Sequence, residues 1–588
     1  MCEFTPNAAK QNSTIFKKFD YDFSKIISPY PDSDLSYGSE FRPVSILEPL
    51  LHNHRSWINF SKYCTFGFDA SFSPLSDKQR LQDVQAAISR GNHKSAERHI
   101  EVLRNNFVKE IKTGFQFPFL IEDIPKIKGS MVAPVGVASQ ETVNELGEIV
   151  PKYRPTHDQS FEFSPGTSVN KLLLKDDLPP LFYGFCLLRI LHYIHALRLS
   201  DSTCPILISK VDFKSAYRRG TISSALAARS ITILCGYALF LRCLPFGDSH
   251  CLNLWCVVSE FVTDLTNDLL TCADWDENTL FSPHVHKLSP PALLSDDIPF
   301  HQAKPADVKV HVSCEGRADV FIDDIVTVGY LSAQWKRLCG AALLAIHIFG
   351  RPVDSAEPVP RDDLLSLNKL LSEGSPSEVQ TVLGWNINTR TFCISLPSDK
   401  FSEWTAQINT ILDLNFVLPK DLESLIGRLN HAAFVIPLSR HYLNRLRNLH
   451  SRLKHHKHIH LTKEVVLDLQ LWLHFLHRAH EGISINLIIE RQPDCIFVTE
   501  SCEYGLGGFS MKTGKAFRYE IPYYLRFRVS NNVLEYLAEV IAVWLGVLDG
   551  EVQDESCVFS GTDNTSAVGW TCKSNFSDSS QKLHITIS

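Results

Sequence analysis

The segment Phe321-Ile322-Asp323-Asp324-Ile325-Val326 places two adjacent carboxylates between β-branched and aromatic residues. This pattern predicts two short strands joined by a tight turn, with both acids at the tip of the hairpin. Aspartate is also common in turns because its side chain bonds to nearby backbone groups, so the pair alone indicates a catalytic site only weakly. A second acidic strand end elsewhere in the chain strengthens that interpretation.

That second strand end is Asp212, which follows the largely apolar run Ile206-Leu207-Ile208-Ser209-Lys210-Val211. Nucleotidyl transfer uses two Mg²⁺ ions about 3.5–4 Å apart, and carboxylates on neighbouring strand ends can hold such a pair. Because Mg²⁺ keeps waters and substrate phosphates in its octahedron, few protein carboxylates are needed. We therefore predict a two-ion Mg²⁺ site, open also to Mn²⁺, with Asp212 and Asp323 as ligands and Asp324 in support.

The composition indicates a large globular protein. Its 588 residues are too many for one hydrophobic core, so several domains are expected. Apolar residues make up 44% and charged residues 21%, which excludes a disordered chain. The cysteines form no CxxC pair or zinc spacing and follow no signal peptide, which predicts reduced thiols in an intracellular protein, cytoplasmic or nuclear or both. No run approaches the roughly twenty apolar residues of a membrane span, so no membrane partner is expected.

The net charge of −7 argues weakly against a nucleic-acid partner, because phosphate contacts need lysine and arginine. The distribution of charge is more informative. From Ser424 to Thr462 the chain carries several arginines and lysines and no aspartate or glutamate. This stretch predicts a basic track for nucleic-acid phosphates, with a solvated helix face as the alternative. The candidate nucleic-acid ligands are Arg428, Arg440, Arg445 and Arg447.

Hydrophobic periodicity predicts an α+β region, then an all-helical region, then a second mixed region. The predicted elements of the first region are helices at 76–110 with a break near Gly91, at 181–199, 215–228, 252–270 and 335–348, and a strand at 205–211. Helical spacing then continues from 400 to 479. Residues 1–110 have no role that we can assign, and the prolines at about 273–310 predict an irregular insertion before the acidic hairpin.

Several motifs resemble those of reverse transcriptases and occur in the same order. Asp212 with Tyr217 is similar to motif A, Leu244-Pro245-Phe246-Gly247 to motif B, and Phe321-Ile322-Asp323-Asp324 to motif C. Lys152-Tyr153-Arg154 resembles the fingers segment that binds the incoming triphosphate. Among reverse transcriptases, the chain is most similar to those of the tyrosine-recombinase (DIRS-like) retrotransposons. This similarity rests on the insertion and on three blocks: Leu383-Gly384-Trp385, Leu396-Pro397-Ser398-Asp399-Lys400 and Ile426-Gly427-Arg428-Leu429-Asn430-His431.

The resemblance implies a right-hand polymerase with fingers, palm and thumb, followed by a truncated RNase H-like α/β domain. Fingers and palm would span 111–399, and the helical thumb and connection would span 400–485. The implied activity is RNA-directed DNA synthesis on an RNA template from a DNA primer and dNTPs. Two positions depart from the family pattern: Leu252 stands where proline is usual, and Phe321 stands where tyrosine is usual.

The resemblance also implies roles for the substrate-binding residues Lys152, Arg154, Tyr217 and Gly247. Gly247 would let the backbone approach the template and the new base pair. Tyr217 would act as a steric gate against a ribose 2′-hydroxyl, with plain helix packing as the alternative. Lys152 and Arg154 would bind the triphosphate, although Arg154 has the alternative of a solvated loop charge.

The last region, 490–588, resembles an RNase H domain. Its acids would be Glu500, Glu535 and Asp563, which would use two metal ions to cleave RNA in a hybrid, with ordinary surface acids as the alternative. The family usually has aspartate first, and the extra methylene of Glu500 moves the carboxylate by about an ångström, which can be costly. Because the sequence ends at Ser588, we expect an incomplete domain with impaired nuclease activity. Recombinase or integrase activity would come from another chain or polyprotein segment.

Two functions of different classes are compatible with these features. The first is an active retroelement polymerase, which the intact Asp212, Asp323 and Asp324 favour. The second is a decayed or domesticated element product that binds RNA–DNA hybrids without catalysis. Glu500 and Leu252, which depart from the family pattern, favour partial loss of the element's enzymatic function.

Overall fold

Helices and strands alternate along most of the chain. The computed structural model describes residues 3–26, 40–143, 149–313, 315–357, 359–453, 455–526 and 528–573, without the side chains at 140–143, 149–150, 152 and 571–573. The mixed helix and strand content predicted from the sequence is confirmed.

The N-terminal part is helical and packs onto the sheets that follow. Its elements are α1 (Pro6–Lys18), α2 (Phe23–Ile26), α3 (Val44–Leu51), α4 (Trp57–Phe66), α5 (Asp77–Arg90), α6 (Lys94–Arg98) and α7 (Ile100–Lys112). The predicted break is confirmed, because Gly91 ends α5 with a φ of +72°, a conformation that glycine adopts at little cost. Phe16 and Phe60 are buried in one core with Phe240 and Phe261, so these helices share a hydrophobic core with the next region.

The next region contains most of the strands. Its elements are β1 (Gln116–Phe119), β2 (Val135–Val143), β3 (Ile149–His157), α8 (Val169–Leu172), α9 (Cys186–Ser200), β4 (Ile206–Asp212), α10 (Ser224–Arg229), β5 (Ile231–Leu234), β6 (Tyr237–Leu241), α11 (Cys251–Thr271), β7 (Arg317–Phe321), β8 (Asp324–Tyr330), α12 (Trp335–Phe349), α13 (Leu367–Glu373), β9 (Val379–Val382), β10 (Trp385–Asn388) and β11 (Cys393–Ser395). They form the antiparallel sheets β4-β8-β7 and β1-β6-β5, the pair β2-β3, and the three neighbouring strands β11-β10-β9 of a further sheet.

The β4-β8-β7 sheet is covered on both faces, which explains why β4 is a nearly continuous apolar run. Successive side chains of a strand point to opposite faces. Ile206 and Ile208 pack in the core that contains α9, whereas Val211 and Ile325 pack in the core that contains α11 and α12. Helices therefore cover both faces of the sheet whose strand ends carry the acids.

The predicted single helix at 215–228 is wrong. A 3-10 turn covers Ala216–Arg219, the chain then extends, and α10 begins only at Ser224. The backbone between the two makes sheet-like bonds instead of helical ones: Phe68 N–H donates to the Thr221 carbonyl at 2.7 Å, and Ile222 N–H donates to the Arg242 carbonyl at 2.8 Å. These partners are distant in sequence, so local periodicity could not reveal them.

The remaining elements form a helical region and a C-terminal α/β unit. They are α14 (Ser398–Leu414), β12 (Phe416–Val417), α15 (Pro419–Ala432), α16 (Asn444–Leu453), β13 (Ile459–His460), α17 (Lys463–Glu481), β14 (Ile483–Ser484), β15 (Cys495–Cys502), β16 (Gly505–Ser510), β17 (Ala516–Glu520), α18 (Asn531–Leu548), β18 (Val558–Gly561) and α19 (Thr565–Lys573). The last sheet has the order β17-β16-β15-β18, with β15 and β18 parallel.

One helix in the described part of the chain, α18, is long and apolar enough to cross a membrane by length and composition alone. It packs against β15 and β16 and carries Glu535 and Glu539, both buried within the unit. Its apolar character therefore has an explanation in the core of this α/β unit.

Candidate active site

Three carboxylates meet at one end of the β4-β8-β7 sheet. Asp212, the last residue of β4, lies directly opposite Asp324, the first residue of β8. Asp323 lies in the two-residue turn that joins β7 to β8. One oxygen from each acid lies within 4.8 Å of an oxygen of the other two. The structure thus brings together the three acids that the sequence analysis selected.

The turn that carries Asp323 has an unfavourable backbone conformation. Ile322 has a φ of +59°, which β-branched residues rarely adopt and which costs about 1–3 kcal/mol. Two contacts hold it there. Trp255 of α11 donates from Nε1 to the Ile322 carbonyl at 3.1 Å, and Phe213 N–H donates to the Asp323 carbonyl at 3.4 Å. The turn is therefore fixed from both α11 and the end of β4.

Two of the acids, Asp212 and Asp323, have raised pKa values. Burial raises the pKa of Asp212 to about 7, against the opposing effect of Lys369 and with a further increase from the neighbouring acids. Burial also raises the pKa of Asp323 to about 6, and the charge of Asp324 adds to the shift. A divalent cation at this point would remove the repulsion that causes part of both shifts.

Lys369 of α13 is a site residue that the sequence analysis missed. Its Nζ lies 3.0 Å from Asp212 Oδ1 and 3.7 Å from Asp324 Oδ1. Burial disfavours the charged form of Lys369. The hydrogen bond to Asp212 and the negative charges of Asp212, Asp324 and Asp323 outweigh this effect, so the pKa of Lys369 is raised. The side chain therefore stays charged and neutralises part of the acidic cluster.

The donor set fits Mg²⁺. All three candidate ligands are carboxylates, which hard cations prefer. Asp212 Oδ1 is buried, and Lys369 Nζ lies 3.0 Å from it. Asp324 keeps 32% of its side chain exposed, so water and substrate phosphates have access to the cluster.

Tyr217 lies beside the Leu244–Gly247 loop. Its ring centroid is 5.3 Å from that of Phe246. Burial raises the pKa of Tyr217, and Asp323 is one of the charges that add to the shift. The residue belongs to the short 3-10 turn after β4 and is half-buried. The structure therefore places the Tyr217 ring against Phe246.

Gly247 packs directly on the end of β3. Its φ is +119°, and an added Cβ would collide with the carbonyl oxygen of His157. Asn170 holds the loop from the other side: its Nδ2 donates to the Gly247 carbonyl at 2.9 Å, and its Oδ1 accepts from Ser249 N–H at 2.8 Å. Glycine is thus required here by protein packing, in addition to the template approach that the resemblance implies.

His157 gives this junction a predicted sensitivity to acid. Burial, with a smaller effect of Arg218, lowers its pKa from 6.5 to about 3. The folded chain therefore binds fewer protons than the unfolded chain between these values, and stability falls as pH drops below 6.5. From pH 6.5 to 5 we expect a loss of about 2 kcal/mol, which urea unfolding would measure.

The matched variant for this prediction is His157→Phe, because a phenyl ring keeps the stacking on Phe107 without a titrating group. It should remove most of this loss, whereas His52→Phe at an exposed position should leave the pH profile unchanged. Identical profiles for His157→Phe and the wild type would contradict the assignment.

Lys152 and Arg154 lie on β3, upstream of this junction. Arg154 is exposed, pairs with Ala138 in the strand register, and has no ion pair within the described residues. The side chain of Lys152 lies outside the described residues. The structure thus places Arg154 on the strand that ends under Gly247 and shows no contact between it and the acids.

Solved structures with some similarity to this chain are reverse transcriptases. A foamy viral protease-reverse transcriptase dRH in complex with double-stranded DNA is 13% identical, with 95% of this chain and 81% of that chain covered and a TM-score of 0.42. The foamy viral protease-reverse transcriptase in complex with an RNA/DNA hybrid is 13% identical, with 93% and 61% covered and a TM-score of 0.42. No protein-family model and no curated protein matches the chain. At TM-scores below 0.5 the likeness carries no conclusion about activity.

The four candidate arginines of the basic stretch differ in their surroundings. Arg428 pairs with Glu403 and donates to Gln407 Oε1 at 2.7 Å. Arg445 donates to the buried Asp468 at 2.8 Å. Both acids lie outside the acid-free window, so the sequence pattern overstated the free positive charge.

The other two arginines are nearer to the original expectation. Arg447 donates to Asn430 Oδ1 at 2.7 Å, and burial together with the neighbouring Arg440 lowers its pKa. Arg440 has no acidic partner in the part of the chain that the structure describes. Among the four, Arg440 and Arg447 are therefore the two without a carboxylate partner in the described residues.

The C-terminal acids also come together. One carboxylate oxygen each from Glu500, Glu535 and Asp563 lies within 4.8 Å of the other two. Asp563, and after it Glu535, raises the pKa of the exposed Glu500. Glu535 is buried, and its Oε1 accepts from Ser501 N–H at 2.9 Å and from Ser501 Oγ at 2.8 Å. Hydrogen bonds thus fix the central acid, and the outer two remain exposed.

Proposed function

We propose that this chain is an RNA-directed DNA polymerase of a retroelement, transferring nucleotides from dNTPs to a primer 3′-hydroxyl. The observation that carries the proposal is the convergence of Asp212, Asp323 and Asp324 at one sheet end. The DIRS-like affiliation, the fingers, palm and thumb assignment and a recombinase on another chain are parts of this proposal that rest on the sequence resemblance.

Each residue of the site has a separate role in this proposed reaction. Asp212 and Asp323 would hold two Mg²⁺ ions, which when bound activate the primer hydroxyl and stabilise charge on the phosphates. Asp324 and Lys369 balance the charge of the site. Tyr217 borders the sugar position, and Gly247 keeps the adjoining loop close to β3.

Primer extension is the direct test. The full chain would be given a homopolymer RNA template, a complementary DNA primer, the matching dNTP and Mg²⁺. We expect elongation that stops when EDTA is added. Tight hybrid binding without elongation would instead support the second candidate, an element product that binds RNA–DNA hybrids without catalysis. The contact of Lys369 with Asp212 also favours this candidate, because the lysine occupies a side of the carboxylate where a metal ion would bind.

A second test concerns sugar selection. A bulky ring at Tyr217 leaves no room for a 2′-hydroxyl, so selection works by a clash with the wrong substrate. Tyr217→Val should raise ribonucleotide incorporation relative to deoxynucleotide by at least about tenfold, roughly 1.4 kcal/mol. Single-nucleotide incorporation on one template measures the ratio. Tyr217→Phe keeps the ring and should keep the ratio; an unchanged ratio in Tyr217→Val would favour the packing alternative.

A third test concerns phosphate contacts. Each neutralised phosphate releases counterions, so the slope of log K against log salt reports their number. Replacing Arg440 and Arg447 with alanine should lower the slope by about 1.8 and weaken template–primer binding. Arg428→Ala is the matched control, because Glu403 already neutralises this arginine, and its slope should stay near that of the wild type. Equal slopes for all three proteins would indicate a solvated helix face.

The C-terminal acids belong to the same proposal. We propose an RNase H-like unit with impaired cleavage, because Glu500 supplies a longer side chain at the position where aspartate is usual. The clustering of the three acids supports a metal site, and the exposure of Glu500 and Asp563 supports access for a hybrid.

A further inference from the structure

A second kind of ligand cluster lies just after Gly247. The sequence Gly247-Asp248-Ser249-His250-Cys251 forms the turn that leads into α11. The side chains of Asp248 and His250 have no solvent exposure, and Cys251 is 1% exposed. Three residues with metal-binding side chains are therefore enclosed within four positions of the chain.

The side-chain oxygen and nitrogen atoms of this cluster have no hydrogen-bond partners among the described residues. Both carboxylate oxygens of Asp248 and both ring nitrogens of His250 are buried without a donor or acceptor in the described part of the chain. Asp248 Oδ2 and His250 Nε2 are 3.7 Å apart, which is longer than a hydrogen bond. A buried carboxylate without partners is costly, and such groups in folded proteins are normally paired or coordinate a metal.

The geometry points to one shared ligand. A carboxylate oxygen, an imidazole nitrogen and the Cys251 sulfur all lie within 4.8 Å of one another. We propose that Asp248, His250 and Cys251 form a binding site for a zinc-class divalent transition metal. The mixed oxygen, nitrogen and sulfur set matches that class, whereas Mg²⁺ and Ca²⁺ take oxygen ligands. A water molecule would complete a tetrahedron.

The position of the site indicates what it does. It immediately follows Gly247 and begins α11, whose Trp255 bonds to the turn that carries Asp323. A metal here fastens the Leu244–Gly247 loop to the first turn of that helix. The role is structural, and the proposal does not depend on polymerase activity.

Cobalt binding tests the site in the full chain. The protein would be stripped of metal with a chelator and titrated with Co²⁺ under reducing conditions. We expect a thiolate-to-cobalt charge-transfer band in the near ultraviolet, saturating at about one equivalent and displaced by Zn²⁺. The other candidate clusters in the described residues lack cysteine, namely His284, His347 and Asp363 and the two acidic groups, so they cannot produce this band.

Two variants locate the sulfur. Cys251→Ser should lose the band. Cys256→Ser should keep it, because Cys256 is a buried cysteine on the same helix that is not part of the cluster. A band that survives in Cys251→Ser, or no band in the wild-type chain, overturns the proposal.

A measurement on the wild-type zinc form covers the case in which Cys251→Ser does not fold. X-ray absorption at the zinc edge should show one sulfur at about 2.3 Å and the remaining ligands as nitrogen or oxygen. A shell without sulfur overturns the proposal, as does a shell with two or more sulfurs.

Discussion

Asp323→Asn is expected to lower the rate of primer extension at least about a hundredfold, equivalent to about 2.7 kcal/mol of lost transition-state stabilisation. The amide keeps the size of the side chain but is a poor ligand for the ions that the cluster would hold. Template–primer binding should change little, because the substitution removes a candidate metal ligand and leaves every basic side chain in place. Single-turnover extension with saturating hybrid measures the effect, and retention of more than about a tenth of the wild-type rate would contradict the assignment.

Asp212→Asn and the double variant extend this test. If both acids serve one metal cluster, their effects are non-additive, and the double variant should be hardly slower than either single one. Asp296→Asn, at a fully exposed position, is the matched control and should extend primers normally. Thermal unfolding of each variant separates a damaged site from a damaged fold. Additive losses from Asp212 and Asp323 would place the two acids in separate roles.

Strong local patterns made much of the fold predictable. The apolar run before Asp212 became β4, the acids flanked by β-branched residues became a hairpin turn, and the helix predicted at 252–270 became α11, Cys251–Thr271. Period-2 and period-3.6 patterns of this length leave few alternatives. The segment 215–228 failed because its backbone bonds to Phe68 and Arg242. Such long-range partners are invisible to any local rule.

The candidate site was predictable only as far as its acids. Asp212, Asp323 and Asp324 stand at strand ends, where sequence order itself suggests convergence. Lys369 lies in α13 with no motif around it, and only the tertiary fold brings its ammonium to Asp212. The pairing of Arg445 with Asp468 is hidden for the same reason, since Asp468 lies beyond the acid-free stretch from Ser424 to Thr462.

Burial of polar groups was equally hidden from the sequence. Asp248 and His250 stand in a polar-looking turn, and nothing in the local pattern indicates that both side chains are fully enclosed. His157 likewise ends an exposed-looking strand but lies beneath Gly247. Polar residues at a crossing of loops are enclosed by elements distant in sequence, so their environment depends on the complete fold.

Gly247→Ala should destabilise the chain by at least about 2 kcal/mol even without nucleic acid. Two costs combine. A φ of +119° is unfavourable for any residue with a Cβ, at about 1–3 kcal/mol, and the added methyl would collide with the His157 carbonyl. The midpoint of urea unfolding measures the loss. Gly236→Ala is the matched control: Gly236 also has a positive φ, +81°, but an added Cβ there meets no atom within 4 Å. The excess of Gly247→Ala over Gly236→Ala reports the contact with β3 together with the less favourable φ of Gly247. If Gly247 served only the approach to a template, the two variants would lose similar stability, and only Gly247→Ala would bind template–primer more weakly.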